Sequence, residues 1–262
     1  MVSAVFIRQG VGVVGNVISL CLFLSPIPTF KSIWKKGAVE DFSPYPYIVT
    51  VLNCALWVYY GLITPNSLLV ISINAAGLFI EFIYVALYIL YAEKKQRKNA
   101  CILSLCEIFS YAALVLSCSL IPNPQSWRGV VIGWLCVFIN IGMYAVPCVA
   151  IYRVCKTKSL AYMPFWLSLA CFLNGLCWLA YSLIGFDKYI FTSNGAGLVL
   201  GVIQISVIGY YLFKYPQPRD YILPEWLLSK LSKSQNNKII DEKASGGRKV
   251  ELSDMVEISI HS

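Results

Sequence analysis

From its first residues to about residue 213 the chain falls into seven apolar runs, each near the 20 or so residues that a helix needs to cross roughly 30 Å of hydrocarbon. No other feature restricts the fold as much, because backbone groups left unpaired in lipid are so costly that only helices and closed barrels span a bilayer. Barrel strands would alternate polar and apolar residues, and these runs do not. The chain therefore reads as an all-α membrane protein with transmembrane helices over 5–30, 45–62, 67–91, 101–120, 130–152, 164–183 and 189–213. Composition agrees: 58% of residues are apolar, 13% are charged, and the mean hydropathy is +0.68. The first run lacks a basic leader and continues past Leu20, so it is expected to stay as a span rather than be cleaved.

Charge in the connections orients the spans. Lys31, Lys35 and Lys36 follow the first span, Lys94, Lys95, Arg97 and Lys98 the third, and Arg153, Lys156 and Lys158 the fifth. With the tail from Lys214 onward, that side carries eighteen of the 21 basic residues, against Arg8, Arg128 and Lys188 on the other. The positive-inside rule then places the C-terminus in the cytosol and the N-terminus outside. A plasma-membrane protein is expected, with a vacuolar or other internal membrane as the alternative. Basic residues beside the membrane account for the net charge of +8, so no nucleic-acid partner is read from it. The tail, rich in Ser, Lys, Asn and Glu, is expected to be a mostly disordered cytosolic segment with one apolar patch at 222–231.

Several chemistries drop out. The ten cysteines stand singly in apolar runs without a CxxC pair or a histidine nearby, so neither a metal nor a redox centre is read from them, and no cofactor is expected. His261, the only histidine, lies in the tail, which excludes a histidine proton relay within the spans. No nucleophile and base pair recurs in the spans, so the chain does not read as an enzyme.

An internal repeat organises the rest. Shifted by 121 residues, Pro26 falls on Pro147, Asn53 on Asn174 and Trp57 on Trp178; after a one-residue deletion, Asn74 falls on Asn194 and Gly77 on Gly197. The strings agree as well, Asn74-Ala75-Ala76-Gly77-Leu78 beside Asn194-Gly195-Ala196-Gly197-Leu198. Each copy holds three spans, which alone would invert the second copy, so the fourth span acts as a linker that restores parallel orientation. The expected organisation is 3+1+3: a first three-helix repeat at 1–92, a loop and linker helix at 93–122, a second repeat at 123–214 and the tail at 215–262.

Parallel repeats place a substrate site near the midplane, between the copies. Asn53 and Trp57 share a helix face at i and i+4, and Asn74 lies seven residues into its span, about 10 Å deep. Asparagine in hydrocarbon is costly unless partnered. The plainer reading, amides gluing helices and indoles packing at an interface, explains one such pair; two pairs repeated in register favour a polar cavity. Amides donate and accept hydrogen bonds, and aromatic planes cover the C–H faces of a sugar ring, so the cavity suits an uncharged polyhydroxylated solute. Pro26 and Pro147, with Pro46 and Pro164 opening the next spans, form a candidate flexing gate on the cytosolic side. Glu81, whose repeat mate is Gly201, and Glu107 are the acidic residues that could couple transport to protons.

These residues resemble the SWEET family of sugar transporters. The resemblance covers residues 8–214 and rests on Gly15-Asn16-Val17-Ile18-Ser19, Ser25-Pro26-Ile27-Pro28-Thr29-Phe30, Leu52-Asn53-Cys54, Ile73-Asn74, Lys156-Thr157-Lys158-Ser159, Tyr162-Met163-Pro164-Phe165 and Ser193-Asn194-Gly195. It implies facilitated, proton-independent, bidirectional sugar movement by alternating access, in a form usual in plants. By position it implies that Asn74 and Asn194 bind substrate, that Trp57 and Trp178 stack on it, and that Ser19, Leu22 and Met143 line the same pocket. Asn53 and Asn174 match a pair implied to be Ser in sucrose carriers and Asn in hexose carriers, and Pro26, Pro46, Pro147 and Pro164 match a proline tetrad. A hexose uniporter is the expectation, with the bilayer and further copies of the chain as partners. A sucrose carrier of the same family and a PQ-loop amino-acid exporter are the alternatives. The Pro-Gln pairs Pro124-Gln125 and Pro216-Gln217 lie away from the hinge, against the exporter. Ser193 stands where many relatives carry proline, a departure expected to leave the pocket's chemistry unchanged.

Overall fold

The computed structural model describes residues 2–120, 125–215 and 221; the Pro216-Gln217 pair, Pro124, His261 and nearly all of the expected tail lie outside them. The elements below belong to the compact unit Met1–Tyr215. In order they are α1 (Val2–Leu24), α2 (Ile27–Lys36), α3 (Tyr45–Ile63), α4 (Leu68–Tyr91), α5 (Lys94–Leu120), α6 (Gln125–Met143), α7 (Ala145–Thr157), a 3-10 turn (Leu160–Tyr162), α8 (Phe165–Gly185) and α9 (Lys188–Lys214). No strand occurs among the described residues. Seven stretches are long and apolar enough to cross a membrane, two of them made from helix pairs, at Ser3–Lys36 and Trp127–Thr157.

By sequence each of these spans is one segment with a flexing point at Pro26 or Pro147, and proline chemistry explains why the helices part near them. At Pro26 the imide nitrogen has no proton and the ring crowds the carbonyl four residues back, that of Leu22. The freed Leu22 oxygen accepts instead from the Ser25 amide at 3.1 Å and the Ser25 hydroxyl at 2.7 Å, and α2 restarts with Pro26 as its cap. In the second copy the break falls at Tyr144, which leaves Pro147 within the first turn of α7, where a missing donor costs little. There the Tyr144 amide turns back to the Ile141 carbonyl at 3.0 Å. The fourth span begins at Lys94 rather than at residue 101, because Lys, Gln and Arg continue a helix well although they end an apolar run. Arg97 also closes the preceding helix, donating to the carbonyls of Leu90 at 3.2 Å and Ala92 at 3.0 Å.

Packing reproduces the repeat. In the first copy α4 lies against both α1 and α3; in the second, α9 lies against both α6 and α8. The copies meet through α1 on α8 and α3 on α6, which are pseudo-symmetric mates, and the linker α5 lies along α3 and α4 of the first copy. Small residues permit the closest approaches. A Cβ on Gly77 would strike the Phe23 ring, and one on its mate Gly197 would strike the Tyr144 hydroxyl. Phe23 and Tyr144 are themselves mates at the 121-residue shift, so both copies seat a ring in a glycine notch.

The apolar core is divided. One cluster joins both copies, through Trp57, Tyr60 and Val70 from the first and Ile132, Trp178, Tyr181 and Tyr189 from the second. Another, with Phe30, Ile33, Ile48, Tyr84 and Tyr88, belongs to the first copy and to the end with the basic loops. Gly77→Ala and Gly197→Ala are each expected to cost about 1–3 kcal/mol by overpacking. Gly129→Ala and Gly209→Ala, where a Cβ meets nothing within 4 Å, should stay within about 0.5 kcal/mol of the parent. Melting of the detergent-solubilised proteins measures the contrast.

Candidate functional site

Between the copies lies a cavity of about 530 Å³. Its lining includes Asn53, Asn74, Asn174, Asn194, Trp57, Trp178, Ser19, Leu22 and Met143, so the structure brings all nine of the anticipated pocket residues together. Of the four prolines, Pro147 and Pro164 border the cavity while Pro26 and Pro46 do not. The side chains of Glu81 and Glu107 are absent from the lining, which among the described residues contains no acidic or basic residue. Glu81 is buried elsewhere, with its Oε2 unpartnered.

The two central asparagines are held alike. Asn74 Nδ2 donates to the Val70 carbonyl and Asn194 Nδ2 to the Ile190 carbonyl, each four residues back and each at 2.9 Å. Part of the donor capacity is thus spent on the helix, which fixes the amide, and the carbonyl oxygen accepts no bond from another described residue. On one side of the cavity the copies are tied: Ser19 Oγ on α1 donates to Asn174 Oδ1 at 2.6 Å and accepts from Trp178 Nε1 at 3.1 Å.

The opposite side does not repeat this arrangement. Asn140 on α6 is the mate of Ser19, yet its Nδ2 donates to Tyr144 Oη at 3.1 Å and to Ser193 Oγ on α9, within its own copy. Tyr144 Oη in turn donates to the Ser193 carbonyl at 2.8 Å. Asn53, the mate of Asn174, is left with a buried Oδ1 that has no partner. An unpaired buried acceptor costs about 1–3 kcal/mol, a cost that Asn174 avoids through its bond from Ser19. Ser193, a departure expected to leave the pocket's chemistry unchanged, is fully buried, and its hydroxyl and carbonyl accept from Asn140 and Tyr144.

The two ends of the cavity differ. At the end opposite the basic loops the copies are cross-tied: Tyr60 Oη donates to Asp187 Oδ2 at 2.9 Å, and its mate Tyr181 donates to the Asn66 carbonyl at 3.4 Å. Asn66 and Asp187 are also mates at the 121-residue shift. The Arg8 guanidinium covers the Tyr181 ring at 4.2 Å. Asp187 is doubly occupied, since it also caps α9 through the amides of Tyr189 and Ile190. At the basic-loop end, Tyr162, Met163, Pro164 and Leu167 of the second copy border the cavity. The first copy is shut there by Phe30 stacked on Tyr84 at 4.4 Å, with Tyr47 edge-on at 4.9 Å from Phe30.

Sequence reasoning missed Asn140, Tyr144, Asp187, Ser168 and Gln204. The repeat shift carried a signal for the first three, since it lays them on Ser19, Phe23 and Asn66. Ser168 and Gln204 fall on Tyr47 and Tyr84, unlike residues, and only the packing reveals them.

The chain matches the family described as sugar efflux transporters for intercellular exchange twice, over residues 9–96 and 130–217. It is similar to the bidirectional sugar transporter SWEET4 of Oryza sativa subsp. indica, 45% identical over 213 residues, covering 80% of this chain and 82% of the relative. It is likewise similar to the bidirectional sugar transporter SWEET5 of Arabidopsis thaliana, 45% identical over 207 residues, covering 78% and 86%. A solved structure of a eukaryotic SWEET transporter superimposes with a TM-score of 0.75 at 34% identity, covering 79% of this chain and 97% of that one.

The Asn140–Ser193 bond is open to a double-mutant cycle. Asn140→Ala and Ser193→Ala should each lower stability by about 1 kcal/mol, and the double variant should lose clearly less than the sum. Additive losses in thermal unfolding would show that the two side chains do not interact.

Proposed function

The chain belongs to the SWEET family, and from that premise we propose that it is a facilitative, bidirectional uniporter that carries hexoses across a membrane by alternating access. The observation that carries this reading is the cavity itself: uncharged, bordered by two identically held asparagines and two tryptophans, and placed between parallel repeats. Asn74 and Asn194 present amide oxygens to sugar hydroxyls, and Trp57 and Trp178 offer ring faces to the C–H surface of a pyranose. Asn53 and Asn174 fill more of the seat than serines would, which favours a monosaccharide over a disaccharide. A lining without charge supports movement uncoupled from protons, since Glu81 lies outside it.

Alternation follows from which end is tied. On the charge asymmetry of the loops, the Tyr60–Asp187 and Tyr181–Asn66 end faces outward, so this conformation opens to the cytosol. Return to the outward-open state breaks these ties and lets α2 and α7 swing at the breaks near Pro26 and Pro147, closing the basic-loop end. A plasma-membrane location with the N-terminus outside fits this orientation.

Liposomes containing the purified full chain and offered glucose, fructose, galactose and sucrose test the reading. Hexose uptake should be fastest and indifferent to an uncoupler; sucrose outpacing every hexose, or loss of uptake on collapsing a proton gradient, would overturn it. Asn74→Ala and Asn194→Ala should each reduce glucose uptake about tenfold or more, because each strips a hydrogen-bonding group from a site built to pair it.

A further inference from the structure

The cavity extends well beyond the asparagines. Along α8, Ser168, Cys171, Gly175 and Trp178 share one face at helical spacing, and along α9, Asn194, Gly197 and Gln204 do the same. Both helices therefore present a stripe that begins at the asparagine and tryptophan seat and runs toward the basic-loop end. Ser168 lies ten residues from Trp178 and Gln204 ten residues from Asn194, on antiparallel helices, so the two sit at one depth about 15 Å from the seat.

Both side chains are polar, buried and unpartnered. Gln204 is 9% exposed and Ser168 4% exposed, both border the cavity, and neither side chain makes a hydrogen bond with another described residue. A primary amide with two donors and an acceptor, beside a hydroxyl, both at the cavity wall and spent on no neighbour, is placed to pair with a visiting solute. Their mates in the first copy, Tyr47 and Tyr84, are consumed in packing: Tyr84 stacks on Phe30 and donates to the Phe23 carbonyl at 3.1 Å. The repeat is thus broken at this depth, solid aromatic in one copy and open amide and hydroxyl in the other.

We propose that Ser168 and Gln204 form a second, shallower station for a neutral polyhydroxylated solute, built by the second copy alone. The station takes the same chemical class as the central seat and so rests on the sugar reading above. With an amide on one wall, a hydroxyl on the other and the paired tryptophans left behind at the seat, it engages fewer faces of a sugar and holds it more weakly than the seat. A solute leaving the seat toward the basic-loop end passes from one paired position to another rather than through a dry apolar wall, and only along α8 and α9.

Cys171 reports on this directly, because it is exposed and lies on the α8 stripe one turn from Ser168. In the full-length protein in lipid nanodiscs, modification of Cys171 by N-ethylmaleimide is followed by peptide mass spectrometry with and without D-glucose. Glucose should slow the modification in the parent. In an Asn74→Ala/Asn194→Ala background, which removes the seat, slowing should persist at higher glucose. Adding Gln204→Ala or Ser168→Ala to that background should raise the glucose needed for half-protection by about fivefold, the scale of one neutral hydrogen bond. An unchanged labelling rate without sugar marks each variant as folded, and the two substitutions serve as independent readings. Protection that vanishes in the seat-deficient background, or that survives both Gln204→Ala and Ser168→Ala there, overturns the station. A parent that transports glucose while showing that result leaves the sugar reading intact; a parent that neither transports nor is protected overturns both.

Discussion

The cost of an unpaired polar group in hydrocarbon is the constraint on which the structure depends. Backbone polar groups are settled within helices, so what distinguishes this chain is where its side-chain amides, hydroxyls and carboxylates go. Asn74 and Asn194 bond back to their own helices, Ser19 ties Asn174 and Trp178 across the copies, and Tyr60 finds Asp187. Among the residues that border the cavity, the Asn53 carbonyl, Ser168 and Gln204 make no side-chain bond to another described residue. A protein that satisfied every polar group internally would be a stable bundle with nothing to offer a solute.

Pseudo-symmetry gives the cavity its position, and departures from it shape the basic-loop end. At the seat the copies are nearly equivalent, with paired asparagines and tryptophans. At the basic-loop end they are not, because Tyr47 and Tyr84 fill in the first copy the space that Ser168 and Gln204 leave open in the second. The same division appears in the hydrogen bonds: Ser19 crosses to the other copy whereas its mate Asn140 stays within its own. Because the copies are parallel, the two ends of the cavity are built from different residues: one is cross-tied by Tyr60 and Tyr181, and the other is bordered by Tyr162, Met163, Pro164 and Leu167 of the second copy.

Much of the fold was legible because hydropathy and repeat spacing are properties of single segments. The number of spans, the 3+1+3 order and the mates Asn53/Asn174, Asn74/Asn194 and Trp57/Trp178 follow from a sliding comparison of the chain with itself. The helix breaks were less legible: proline marks a weak point, but the break appears at Ser25–Pro26 in one copy and at Tyr144, three residues before Pro147, in the other. Where a helix parts depends on which neighbour can take up the freed carbonyl, and Ser25 does so only in the first copy.

The sequence by itself determined that this is a seven-span membrane protein with a duplicated amide and indole pair at mid-depth, since the transfer cost of each residue into lipid and a 121-residue period require no knowledge of contacts. Only the tertiary structure decided which polar groups are spent and which remain free. Ser193, marked in the sequence only as a departure from proline, became an anchor because Asn140 and Tyr144 reach it within the second copy. Asn53 and Asn174, indistinguishable as a repeated pair, ended with an unpaired oxygen in one case and a bonded one in the other. Hydrogen bonding is a short-range, two-body matter, and its second body comes from a helix whose distance along the chain carries no information about its distance in space.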